Sequence, residues 1–367
     1  MTPVDHKTFS AGDLALPYGD QHLRLPVELL DRRVDVILPN HLPPASYPGQ
    51  NIIKALSNPL GVHKLAGISK DTRVALVLND KTRPVPNSIL VAPLLEYLRS
   101  SGVHKKNISF FIANGTHVPM SIKELELIID TDLVKGYSVV SHDCDRLDAL
   151  QFLGRTPRST PVYVNKQFLT HDLKIVIGDI ELHHFAGFSG GVKSAAIGLC
   201  GRQTINTNHE LLLDNNSRVG IYHANPLRAD IEDIGRMIGI DLALNAVLNE
   251  NKAIIEVYFG EPVSVMQAGI NTIRKMCQIP LDTPYDVVFA SAGGYPKDIN
   301  LYQSQKAMTH ASLFCRNGGK IVLVAECCEG IGSEGYAKFM RGLSSPGQVI
   351  DKIKDTGFSV GPHKAYQ

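Results

Sequence analysis

Apolar residues along the chain fall into two rhythms. RVALVL (73–78), ISFFIA (108–113), LKIVIG (173–178), DVVFASA (286–292) and KIVLVAE (320–326) are short, nearly unbroken apolar runs rich in β-branched side chains. Such runs read as strands buried on both faces. SILVAPLLEYLRS (88–100) and RADIEDIGRMI (228–238) instead space their apolar positions as a helix does. Strands alternating with helices predict an α/β fold with mostly parallel sheets. The segment QIPLDTPYD (278–286) places two prolines and an aspartate before a fresh strand. It predicts the boundary between two α/β domains, 1–280 and 281–367. No internal repeat or low-complexity tract is visible.

Four strands run straight into polar, chemically loaded segments. These are NDKTRPVP from 79, NGTH from 114, GDIELHH from 178 and GGYPKDINLYQSQK from 293. In open α/β sheets, ligands bind outside the carboxyl ends of the strands. Four loaded ends therefore predict one site, in the cleft between the domains, rather than four.

Composition narrows the class. The chain has 367 residues, 44% hydrophobic and 20% charged, with 37 basic against 36 acidic residues. A net charge of +1 and no basic stripe give no reason to expect nucleic acid. No apolar run is long enough for a membrane span, and the first residues lack the pattern of a signal peptide. Six cysteines without CxxC spacing read as free thiols in a reducing compartment. The expectation is a cytoplasmic enzyme.

The stretch HHFAGFSGGVKS (183–194) carries the densest chemistry. Gly187 and Lys193 have the separation of a triphosphate loop, with Ser194 following. Val192, however, occupies the position before the lysine where that loop needs glycine, and no strand feeds it at the usual distance. Gly187, Gly190 and Gly191 still allow close backbone approach or positive φ. A helix beginning at SAAIG would favour a single phosphate at its N-terminus; a tight turn with a solvated lysine is the plainer reading.

Histidine titrates near neutral pH and is the commonest metal ligand. Of the 14, His6, His104 and His223 have no supporting context. His117 ends NGTH at a strand's carboxyl end, and His183 and His184 precede the glycine loop. His209 could face the same cavity if 202–213 is helical. Each could equally be structural, but their clustering points to acid–base or metal chemistry. Arg83, before Pro84, offers a planar fork for a carboxylate or phosphate; an ion pair with Asp80 is the alternative. Tyr302 and Lys306, with Gln303, are spaced to share one helical face.

Taken together, HHFAGFSGGVKSAAIG, the NH pair at 208–209, DKTRPVP (80–86), NGTH (114–117) and GGYPKDINLYQSQK (293–306) resemble, in order, the blocks of the nickel-dependent lactate racemase family. The resemblance spans roughly residues 70 to 367. It implies a racemase or epimerase of 2-hydroxyacids, with nickel held in a pyridinium-3-thioamide-5-thiocarboxylic acid mononucleotide, the nickel-pincer nucleotide. Lys193 would be its covalent attachment point and His209 the protein's nickel ligand, completing a square-planar set. Ser189, Gly190, Gly191 and Asp80 would line the cofactor, the loop glycines leaving room for the flat ring and its phosphate. His117 and His183 would be the acid–base pair, moving the hydroxyl proton while the C2 hydride passes to the cofactor and back. Arg83 would hold the substrate carboxylate, with Tyr302, Gln303, Lys306 and Tyr366 around it. The implied partners are a small 2-hydroxyacid and the proteins that build and load the cofactor.

The chain departs from its relatives in places. His184–Phe185 replaces an aromatic pair, GGVK replaces GGRK, and Tyr366 stands where lactate-specific relatives carry a pocket tryptophan. This chain has no tryptophan. A larger side chain on the substrate, aromatic or a dicarboxylate such as malate, follows from that. The end at Gln367, where relatives continue, reads as a truncated or absent tail. Two rivals stand beside this reading: a nucleotide-dependent kinase or ATPase using the glycine loop, and a hydroxyacid-binding homologue without turnover.

Overall fold

The apolar runs at 73, 108 and 173 become adjacent strands of one sheet. The structure, a computed structural model, describes residues 14–25, 34–61, 68–83, 85–356 and 365. Tyr366, Pro84 and His6 lie outside the described residues. The chain divides into two units, Asn40–Cys277 and a second formed by Met1–Pro39 with Gln278–Gln367.

The larger unit holds β1 (Val74–Asn79), α1 (Asn87–Ser100), β2 (Ile108–Ala113), β3 (Ser138–Ser141) and β4 (Leu173–Asp179). These are followed by α2 (Lys193–Gly198), α3 (Arg202–Glu210), α4 (Pro226–Ile238), β5 (Leu242–Leu248), β6 (Ile254–Gly260) and α5 (Pro262–Cys277). The strand order is β6-β5-β4-β1-β2-β3. All neighbours are parallel except the β5–β6 pair. Val74 through Leu78 and Ile175 through Ile177 are fully buried, as expected of parallel strands covered on both faces. On one face Leu76, Leu78, Phe110, Ile112, Ile175, Ile177 and Leu244 share a core with Leu90, Leu94 and Leu98 of α1.

This order contains a topological switch. From β1 the chain moves to β2 and β3 on one side, then crosses to β4 and β5 on the other. The crevice at the carboxyl ends of β1 and β4 is where such sheets bind ligands.

α4 shows why its sequence folds locally. Leu227, Ile231, Ile234 and Ile238 form its buried stripe. Asn225 caps it by accepting the Arg228 N–H, Pro226 occupies the first turn, and Gly239 ends it at φ 73°.

The smaller unit pairs β7 (Tyr285–Ser291) in parallel with β8 (Cys315–Val324). Residues 1–39, which the sequence placed in the first domain, group here instead. The reason is a set of long-range polar bonds. In the hairpin formed by Ala15–Tyr18 and Gln21–Arg24, the Gly19 N–H donates to Asp298 at 2.8 Å, and Ser291 donates to the Pro17 carbonyl at 2.6 Å. Tyr285 also donates to Asp35 at 2.8 Å. No local pattern in an N-terminal segment signals partners so distant in sequence.

Candidate active site

Three of the four loaded strand ends meet at the switch point. The segment after β1 carries Asp80 and Arg83, that after β2 carries His117, and β4 ends at Asp179 with Glu181 and His183 just beyond it. Asp80, only 4% exposed, accepts from Thr82 N–H at 3.1 Å and Thr82 hydroxyl at 2.6 Å. Its second oxygen meets His117 Nδ1 at 2.6 Å. Burial alone would raise the Asp80 carboxyl, but the His117 and Thr82 hydrogen bonds outweigh it and hold the group below its ordinary value. A carboxylate at Nδ1 fixes that proton there and leaves the His117 lone pair at Nε2.

Arg83 pairs with Glu181 at 3.2 Å and not with Asp80, which is committed to His117 and Thr82. Glu181 and Asp179 both follow from β4, two residues apart. Burial, then the Glu181 charge, pushes the Asp179 carboxyl up to about 6.

A hairpin of Leu182–His183 and Gly187–Phe188 follows β4 before the lysine is reached. This separates the loop from the strand–loop–helix plan of a triphosphate site. Within the hairpin, His183 Nδ1 accepts the N–H groups of Ala186 at 3.1 Å and Phe185 at 3.3 Å. Neutral His183 therefore carries its proton on Nε2. Burial, then Lys193, holds its pKa well below the ordinary value. The His184 ring stacks on His183 with centroids 4.7 Å apart, so the substituted aromatic position still stacks.

The loop glycines adopt the positive φ expected of them, and the protein itself fills the space that their missing side chains leave. A Cβ on Gly187 (φ 73°) would stand 1.8 Å from the Ile221 carbonyl oxygen. One on Gly190 (φ 85°) would meet Ile180, and one on Gly191 (φ 58°) would meet Met266. Their missing side chains make room for the protein's own backbone and core. Ser189 is likewise occupied, accepting the Glu181 N–H at 3.0 Å and donating to the Asp179 carbonyl at 3.1 Å. Val192 is 4% exposed and packs where a Cβ on Gly235 would come within 2.6 Å of it. The replacement of arginine in GGRK is thus accommodated as core packing against α4.

Lys193 opens α2, as the sequence anticipated for this stretch, and is partly buried. Burial, then the charges of Arg83 and Arg228, pulls its amine down from 10.5 to about 7. His209 lies on α3, which continues as a short 3₁₀ turn to Leu213. Its Nδ1 meets the Ile205 carbonyl at 2.8 Å, so the N–H donates there and the lone pair is at Nε2. Burial and Lys193 bring its pKa to about 4, leaving the ring neutral. Lys193 lowers the pKa of both His183 and His209, and His209 lowers that of His183. They form one electrostatic cluster with Arg83.

Among the described residues, no group of three or more His, Cys, Asp or Glu could hold a metal ion. Tyr302, Gln303 and Lys306 belong to the smaller unit. There the expected single helix is broken at Gln305 into Leu301–Ser304 and Lys306–Ser312. Lys306 donates to Gln303 at 2.9 Å, and Tyr302 packs edge-on to Tyr336. Sequence reasoning passed over Glu181 and the buried polar residues of α4, Arg228 and Asp230. Charged residues within a helix's apolar stripe were the available signal.

The family model described as the lactate racemase N-terminal domain matches residues 18–220, and the lactate racemase C-terminal domain matches 281–360. The chain is 31% identical over 353 residues to the lactate racemase of Thermoanaerobacterium thermosaccharolyticum, covering 94% of this chain and 82% of that protein. It is 31% identical over 310 residues to that of Lactiplantibacillus plantarum, covering 84% and 73%. The lactate racemase apoprotein structure from T. thermosaccharolyticum superposes with a TM-score of 0.85 at 29% identity, over 96% of this chain and 84% of that one. A Thermotoga maritima protein shares the fold, with a TM-score of 0.64 at 20% identity, over 87% and 81%. These matches define the class: an isomerase, and within it a racemase. The chain belongs to the lactate racemase family.

Proposed function

We propose that the protein racemises or epimerises a 2-hydroxyacid through a nickel-pincer nucleotide attached at Lys193. The observation that carries this reading is the pairing of an amine near neutral pKa with one neutral imidazole. Lys193, at about 7, is available as a nucleophile for covalent attachment. His209 presents one Nε2 donor, with Nδ1 held by the Ile205 carbonyl as orienting bonds hold metal-ligating histidines. One protein donor suits a metal whose other donors come from an organic ligand. Gly190, Gly191, Ser189 and Asp80 are the proposed surroundings of that ligand, the first three through backbone atoms. Reversible acceptance of the substrate's C2 hydride is the chemistry such a group supplies when bound.

The chain's own residues then handle protons and position. His117, backed by Asp80, accepts the substrate hydroxyl proton at Nε2, and the Asp80 carboxylate stabilises the imidazolium that forms. The His117 imidazolium returns its proton to that oxygen when the hydroxyacid re-forms, while His183 holds the oxygen with a hydrogen bond from Nε2–H on the glycine-loop side. To act as base for the opposite hand, its ring must turn Nδ1 away from the Ala186 and Phe185 amides. Arg83 receives the substrate carboxylate, exchanging its pair with Glu181. Tyr302, Gln303, Lys306 and Tyr366 are the further residues proposed for substrate binding, and the absence of tryptophan favours a hydroxyacid larger than lactate. Cytoplasmic location and dependence on cofactor-building proteins belong to the same proposal. No helix among the described residues is long and apolar enough to cross a membrane.

The test is turnover of C2-deuterated hydroxyacids in ordinary water by protein co-produced with the cofactor-building enzymes. Formation of the opposite enantiomer with deuterium retained at C2 is expected. Washout of the label into solvent would mean direct proton abstraction and would overturn the hydride reading.

A further inference from the structure

His183, Lys193 and His209 sit on separate stretches of chain, yet all three are tied to one helix. Asn225, the cap of α4, donates to the carbonyl of Phe185 at 2.7 Å, two residues after His183. Asp230, fully buried on the same helix, accepts from Asn208 at 2.9 Å, the residue before His209. Between them stands Arg228, also fully buried. Its Nη1 donates to the Phe188 carbonyl at 3.0 Å and its Nη2 to the Gly190 carbonyl at 3.2 Å. Nε donates to Glu232 at 2.8 Å. Glu232 also accepts the Tyr222 hydroxyl at 2.8 Å, while the Tyr222 ring lies 5.0 Å from the guanidinium carbon.

Burying a guanidinium is costly unless its donors are matched, and here the fork is divided between two loop carbonyls and one carboxylate. The carbonyls belong to the loop that reaches Lys193 through two glycines of positive φ. Glycine backbone has wide freedom, so the loop's conformation must be imposed from outside. Gly191 also makes the contact possible, since a Cβ there would lie 3.0 Å from Arg228 Nη2. A lysine could supply the charge but not a planar fork reaching two oxygens.

We infer that Arg228 is a positioning residue of the glycine loop, fixing the Phe188 and Gly190 carbonyls and thereby the stance of Lys193 relative to His183 and His209. Its bearing on catalysis rests on the proposed role of Lys193; its hold on the loop does not.

Hydrogen exchange on the full-length protein tests this. Arg228→Ala should raise exchange in peptides covering 186–193 about tenfold or more, as loss of charge-assisted bonds implies, while β4 and β5 keep their protection. Millimolar guanidinium should restore the loop in Arg228→Ala, whereas Arg228→Lys should resemble the alanine variant. On co-production with the cofactor-building enzymes, the modified fraction of Lys193 should fall in both variants. Unchanged loop exchange in a folded variant would overturn the inference. So would an increase spread evenly over the sheet, which is what a merely structural arginine gives. If Arg228→Ala does not fold, Glu232→Gln should loosen the same peptides less strongly, and an unaltered pattern there is equally contrary. An unmodified Lys193 in the parent protein would instead sink the cofactor reading and leave the exchange result standing.

Discussion

Replacing Lys193 with methionine should stabilise the apoprotein at pH 7, and the gain should vanish in alkali. The amine falls from 10.5 to about 7 on folding, chiefly through burial. Between those values the unfolded chain holds a proton that the folded chain has lost, so folding stability rises with pH across that window. Below about 7 both states are protonated and the full penalty applies. The gap, at ~1.4 kcal/mol per unit, sets a ceiling on the order of 4–5 kcal/mol. Lys193 keeps partial solvent access, which reduces the expected penalty to about 2 kcal/mol. Methionine removes the titration while keeping comparable apolar length, and any packing change it brings does not depend on pH. Urea unfolding of both proteins at pH 7 and pH 10 isolates the difference. Lys193→Met should exceed the parent at pH 7 by about 2 kcal/mol more than it does at pH 10. A difference that does not change with pH would refute the claim that the lysine is held near neutrality by its surroundings.

Two further substitutions probe the site. Asp80→Asn should leave the fold intact but lower turnover by about 10²-fold or more, because His117 loses the acceptor that fixes its tautomer; turnover within a few-fold of the parent would remove Asp80 from the mechanism. Gly235→Ala places a Cβ 2.6 Å from Val192 and should destabilise by about 1–3 kcal/mol. Val192→Ala in the same chain should recover most of that loss in thermal unfolding, and strictly additive effects would contradict the packing assigned to this pair.

The legible part of the molecule was its repetitive part. The runs at 73, 108 and 173 needed only periodicity to be read as buried strands, and the polar residues just past each run fell together because adjacent parallel strands end on one side. The helix at 228–238 was equally legible as an element, but its function was not. Arg228 and Asp230 interrupt an apolar stripe, and their partners, Phe188, Gly190 and Asn208, lie 20 to 40 residues earlier. The positive φ of the loop glycines was legible, but sequence shows only that a side chain is missing and not what fills its place, which here is Ile221, Ile180 and Met266. Arg83 was read as a fork for a carboxylate or phosphate, with an ion pair to its neighbour Asp80 as the alternative; folding instead brings Glu181 to it from another strand end. The N-terminal segment's attachment to Asp298 is likewise a tertiary fact without a local signature.

On the proposed function, Lys193 carries the cofactor and His209 its nickel. Peptide mass spectrometry and metal analysis of protein co-produced with the cofactor-building enzymes test it directly. The account predicts a nucleotide-sized adduct on the Lys193 peptide together with bound nickel, and an adduct that persists while nickel is lost in His209→Ala. An unmodified Lys193, under conditions that load a known lactate racemase, would contradict it.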